Sequence, residues 1–207
     1  IDTSDVNFVT SASTPYSAQF TTSNIASTND NSSYTYFTTS AANILFNGSG
    51  SPGEVVSYSN PQLYIQYPFT FNSSFSDNFG ANYVSNGTPT VRTGSTTVTG
   101  DAWGTINLPI GSFANALRIK YIITTKDSSN PGTPVVTITT NTSYVWMVPG
   151  KKYPVFEIVY STLTFNGILF ASLKTVNYNP RSAPIGIQQI SGEIPQDFSL
   201  GQNYPNP

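Results

Sequence analysis

The sequence predicts an all-β fold, an antiparallel β-sandwich that is jelly-roll-like and has little helix. Three observations carry this. Apolar residues recur at every second position in one run after another. Those runs are filled with β-branched and aromatic residues, including 13 Tyr and 13 Phe in 207 residues. The 15 Gly and 15 Pro fall mostly between the runs, so short strands alternate with turns about every ten residues.

Taken in order, "DVNFVTS" near the N-terminus places Val6 and Phe8 on one face and Asn7 and Val9 on the other. "YTYFTTS" and "QLYIQYPFTF" read as strands. "ILFNGSGSPGEVV" and "ANYVSNGTPTV" are punctuated by Asn47-Gly48 and Asn86-Gly87. "IGSFANALRI" is the one stretch where a helical turn is expected. In "ALRIKYIITT", Leu117, Ile119, Tyr121 and Ile123 share a face predicted to be buried, with Arg118 and Lys120 opposite, followed by Ile122. "PVVTITT", "SYVWMV" and "YPVFEIVY" continue the strand pattern. "STLTFNGILFASLKTVNY" predicts a hairpin tip at Asn166-Gly167, because a type I′ turn needs positive φ at both central residues. Beyond Arg181 prolines thicken, and a strand followed by a linker is expected. Residues 1–188 therefore read as one sandwich domain and 189–207 as a linker. No internal repeat at a fixed period is evident.

Composition excludes several function classes. Only 9% of residues are charged, against ~25% in an average soluble domain, and the net charge is −2. The charges look scattered singly, so no nucleic-acid partner is expected. No apolar run is long enough for a transmembrane helix. Cysteine and histidine are absent, which removes disulfides, thiolate metal sites and Ser-His-Asp chemistry. Ile1 reads as the residue left after removal of a signal peptide, which points to an extracellular or outer-surface location.

Chemistry has few candidates. Asp101 paired in space with Glu157 or Asp77 is the arrangement a glycosidase would need, but Glu157 reads as a strand residue facing out. "DSSN", Asp127 to Asn130, reads as a plain turn and not a calcium loop. No catalytic centre, cofactor or metal is expected. Trp146, inside an apolar strand, is expected in the core. Trp103, beside Gly104, is the candidate for stacking on a sugar ring. The five Asn-x-Ser/Thr triplets read as chance.

The last residues carry a more specific signal. In "IPQDFSLGQNYPNP", Pro195, Phe198, Leu200, Gln202, Asn203, Tyr204, Pro205, Asn206 and Pro207 follow one another in an order seldom met by chance. This resembles the opening of the type A C-terminal sorting domain of the type IX secretion system of Bacteroidota and their relatives. The resemblance covers about thirteen residues; the Phe-Asn-Pro that usually follows is not in this sequence. It implies that the chain is cargo for that machinery. "GDAWGTINLPIGSFANALRIK" with "YVWMVPGKKYPVFEI" is similar to a recurrent β-rich module of Bacteroidota-type secreted proteins, one with no assigned reaction. Trp103 stands where that module usually has Tyr, and Ile119 where it has Val.

The expected function is therefore that of an extracellular structural protein, a self-assembling subunit of a surface fibre or layer. Copies of itself and the secretion machinery are the expected partners. Val6, Phe8 and Val9 form the candidate assembly strand, adding to a sheet edge of the next copy. The alternative is an adhesive or carbohydrate-binding module, with surface polysaccharide as its partner.

Overall fold

The computed structural model describes residues 6–130, 132–151 and 153–178. The expected domain boundary at 188/189 and the sorting motif lie outside these residues. Eleven strands form one antiparallel sheet: β1 (Asn7–Thr10), β2 (Ile25–Thr28), β3 (Tyr34–Thr39), β4 (Asn43–Ser51), β5 (Glu54–Gln66), β6 (Ser74–Ser85), β7 (Thr88–Leu108), β8 (Gly111–Ser129), β9 (Val135–Met147), β10 (Phe156–Phe165) and β11 (Ile168–Tyr178). Helix among the described residues is confined to two 3-10 turns, Ser11–Ser13 and Ser17–Gln19. The all-β antiparallel class is as expected. The connectivity is simpler than a jelly roll: every strand pairs with its sequence neighbour, and no connection crosses over.

The ribbon folds over at β5. Pro61 lies in the middle of that strand and has no N–H to give to a ladder. Around it the register with β4 jumps, from Phe46↔Gln62 to Gly48↔Ser57. The 43–46 end of β4 and the 62–66 end of β5, which pair with each other, then pack face to face on β7–β9. Ile44 and Ile65 meet Val98, Ile119, Tyr121 and Val145. Tyr64 stacks on Tyr121 with ring centroids 5.2 Å apart, although β6 and β7 lie between their strands in the sheet. Leu117 and Ile123 pack against the same core, so the predicted β8 face points inward. A third layer covers the other face of the early strands. There Phe20 stacks on Tyr36 at 3.8 Å, and the fully buried Tyr36 hydroxyl shares a 2.7 Å hydrogen bond with Thr14.

Two of the three Asn-Gly pairs sit at hairpin tips. Asn86 and Gly87 join β6 to β7 with φ 48° and 77°, and Asn166 and Gly167 join β10 to β11 with φ 45° and 82°. Asn166 is anchored further, since its Oδ1 accepts from the Val136 N–H at 2.7 Å. Asn47-Gly48 departs from expectation and lies inside β4, at a bulge. The β4–β5 turn is made instead by Pro52-Gly53, where Gly53 has φ 88°. Gly48 has φ 132°, and a Cβ there would collide with the Val56 carbonyl and the Phe20 ring. The helical turn expected near Ile110 is also absent: Gly111, with φ 143°, opens β8 directly.

A half-buried cluster closes one end of the core. Arg92 binds Asp127 through Nε and Nη2, both at 2.7 Å, and reaches the hydroxyls of Tyr58 and Tyr83 at 3.4 and 3.3 Å. Burial alone would lower the Arg92 pKa, but its bonds to Asp127 and Tyr58 outweigh that and hold it above the ordinary value.

Gly48→Ala is expected to destabilise the fold by about 2–4 kcal/mol in urea titration, since both φ and space forbid the methyl group. Gly104→Ala, with open space around its Cβ position, should stay within about 0.5 kcal/mol of wild type. Alkaline pH is a second lever. Burial pushes the Tyr83 hydroxyl up from 10 to about 12, and Tyr58 and Tyr121 are raised for the same reason. The folded state therefore keeps protons that the unfolded chain gives up near pH 10. Stability from this source should be full below pH 10 and should fall as pH rises towards 12. Thermal melts across that window should show the loss, and Tyr83→Phe should make it shallower.

Candidate functional site

The face of β8–β11 turned away from the core bears the densest set of chemically useful side chains. Register places them in rows. Arg118, Trp146, Phe156 and Tyr178 lie across one row; Lys120, Tyr144, Ile158 and Val176 across the next; Ile122, Thr142, Tyr160 and Lys174 across a third. Asp101, at a β7 bulge, reaches the first row, where Arg118 donates from Nε at 2.8 Å and Nη2 at 3.2 Å to its two oxygens. The fork geometry fixes the guanidinium in place. Its carbon lies 5.3 Å from the Tyr144 ring and 5.7 Å from the Trp146 ring. That bond to Asp101 also raises the Arg118 pKa. Tyr144 and Tyr160 meet edge to face at 90°, with centroids 6.4 Å apart. Together Asp101, Arg118, Thr142, Tyr144, Trp146, Ile158 and Tyr160 line a shallow open cleft of about 600 Å³.

Trp146 is thus on the opposite face from its expected place. Its neighbour Val145 takes the core position, and alternation sends Trp146 outward to Arg118 and Phe156. Trp103 is 63% exposed, pairs across the ladder with Leu117, and is not part of the cleft. The carboxylates weighed as an acid–base pair are engaged separately. Asp101 holds Arg118, Asp77 accepts the Leu63 N–H at 2.7 Å, and Glu157 accepts from Asn177 at 3.2 Å. Glu157 does not face out as expected. Its cross-strand partner is the buried Val145, so it is half-buried on the core side of the sheet. Asp127 to Ser129 are strand, not turn, and Asp127 is taken up by Arg92. Among the described residues no group of three or more acidic side chains could hold a metal ion.

The candidate assembly strand is part of its own sheet. Residues 7–10 are β1 and pair with β2, leaving one ladder edge unpaired among the described residues. Val9 packs on the cluster of Phe20, Ala26 and Tyr36, whereas Val6 and Phe8 are each 47% exposed. Phe8 also lies 6.1 Å from the ring of Tyr153 in the β9–β10 connection. The opposite edge, β11, is longer and barer. All of its 11 residues are exposed, among them Ile168, Leu169, Phe170, Leu173, Val176 and Tyr178. The sequence "NGILFASLKTVNY" carries apolar residues at both parities, which marks both faces of this strand as apolar as well as marking the hairpin. No helix among the described residues is long and apolar enough to cross a membrane.

Comparison with known proteins adds no relative. No family model, curated protein or solved structure matches the chain.

The two forked ion pairs should separate under mutation. Asp127→Ala leaves a half-buried guanidinium with only tyrosine hydroxyls, and should cost about 2–3 kcal/mol. Asp101→Ala acts where the Arg118 side chain is 34% exposed, and should cost about 1 kcal/mol or less. Parallel urea titrations of the two variants check the difference.

Proposed function

We propose that the protein is an extracellular structural subunit that associates with copies of itself through its sheet edge, delivered to the surface by type IX secretion. One observation carries the assembly reading: among the described residues β11 is an edge strand of 11 residues with apolar side chains exposed on both faces. Proteins that remain monomeric blunt such edges with charges, prolines, bulges or a covering loop. Here Lys174 is the one charge on the strand. With Phe165, the exposed apolar residues of this corner stand on both faces of the strand and run its whole length.

The partner that fits is a second β11. Two antiparallel copies match in length over 11 residues, and the same apolar set meets itself across a twofold axis. β1, with four residues, is too short to cover β11. The assembly contact therefore moves from Val6, Phe8 and Val9 to β11, and the outer β1 edge, unpaired among the described residues, is left for a second, shorter contact that a fibre or layer requires. The low charge of the chain keeps repulsion between copies weak. The export assignment rests on the resemblance of Pro195 to Pro207 to a sorting signal.

Light scattering over a concentration series tests assembly. The wild type should associate, and Leu169→Lys/Leu173→Lys, two exposed positions, should stay monomeric with an unchanged circular dichroism spectrum. A wild type that is monodisperse and monomeric at high concentration would overturn the reading. Fusing a complete sorting domain after Pro207 should bring the protein to the cell surface in a host with an intact secretion system; retention in the periplasm would refute the export assignment.

A further inference from the structure

The fold gathers charges that look scattered along the chain. Four of the 8 basic residues, Arg118, Lys120, Lys126 and Lys174, project from the outer face of β8–β11, against the single carboxylate of Asp101. The molecule carries a net charge of −2, so this face is a local reversal of sign. Lys120, Lys126 and Lys174 have no carboxylate within salt-bridge distance among the described residues. Two of them rest against rings instead: Lys120 Nζ lies 5.7 Å from the Tyr144 centroid, and Lys174 Nζ lies 5.4 Å from that of Tyr160.

We propose that this face is a binding site for an acidic polysaccharide, a chain of sugar rings bearing carboxylate or sulfate groups. It needs no second copy of the protein and does not rest on the assembly reading. A lysine resting on an exposed ring gains about 0.5–1 kcal/mol. A charge-assisted hydrogen bond to an anion is worth more, about 1.5–3 kcal/mol. An arriving anion therefore draws Lys120 or Lys174 off its ring, and the freed ring face receives the C–H face of the neighbouring sugar. Asp101 has a separate task. It occupies Nε and Nη2 of Arg118 and so holds the guanidinium beside Tyr144 and Trp146, with Nη1 free of hydrogen bonds among the described residues. The Thr142 hydroxyl and the shallow floor at Ile158 suit a polymer lying across the cleft, not a small molecule enclosed by it.

Charge spacing favours a sugar polymer over nucleic acid. Lys120 and Lys126 are six residues apart on one strand, about 20 Å, and Lys120 and Lys174 are three strands and two residues apart, about 16 Å. Duplex DNA presents a charge about every 1.7 Å and calls for a denser cationic stripe. Anions carried at most once per sugar, with apolar ring faces between them, match cations that alternate with aromatic rings.

Isothermal titration of the full chain with polygalacturonate, dextran sulfate, uncharged dextran and single-stranded DNA tests the site. Polygalacturonate or dextran sulfate should bind, more weakly as salt rises, and uncharged dextran should bind at least tenfold less well. Lys120→Gln/Lys174→Gln should weaken binding at least tenfold, and Tyr160→Ala should also weaken it, each with an unchanged circular dichroism spectrum. Equal binding of charged and uncharged dextran, tighter binding of single-stranded DNA, no binding of either anionic glycan, or unaltered affinity in Lys120→Gln/Lys174→Gln would each overturn the proposal.

Discussion

Packing of Ile44 and Ile65 onto Val98, Ile119, Tyr121 and Val145 is the contact on which the rest of the molecule depends. A sheet whose every strand bonds only to its sequence neighbour has two long faces and no second sheet to cover either. It must cover itself. The bend at Pro61 lets the early strands do so, but they are short: β1 and β2 have four residues each, while β7 has 21 and β8 has 19. Cover therefore runs out. Val145 on β9 is still buried, whereas every residue of β11 is exposed. The bare edge strand and the open outer face are both consequences of this mismatch in length.

The scarce charges follow the same logic. Arg92–Asp127 and Arg118–Asp101 both tie β7 to β8 with a forked guanidinium, one on the core side and one on the outer side. Each arginine is also set against aromatic side chains, Tyr83 for Arg92 and Tyr144 and Trp146 for Arg118. In the first case the tyrosines seal the end of the core. In the second, the half-buried Tyr144 and Trp146 line the open cleft on the outer face, where the proposed ligand would lie.

Much of this was legible from residue patterns. Alternation in "ALRIKYIITT" placed Ile119 and Tyr121 in the core, and Asn166-Gly167 marked a turn whose φ values demand those residues. What failed did so for local reasons. Gly48 resembles a turn glycine, yet it serves a bulge where backbone and Phe20 leave no room for a side chain. Trp146 looked buried because its strand is apolar throughout, and composition alone cannot say which of two apolar faces meets the core. The basic face was legible in principle, since Arg118, Lys120 and Lys126 share the parity opposite the core residues of β8. Its extension to Lys174 needed the β8–β11 register, which no single strand contains.

Strand order also bears on how the chain reaches its folded state. Because each strand is bonded to the one before it, no ladder must wait for a partner made much later, as the returning strand of a Greek key does. Hairpins of this kind close in microseconds, with small loop-closure entropy. A polypeptide released amino end first therefore meets each ladder partner in the order in which it is made. Among the described residues the last strand to form is β11, which has a ladder partner on one side alone, so the order of synthesis and the order of pairing coincide to the edge of the sheet.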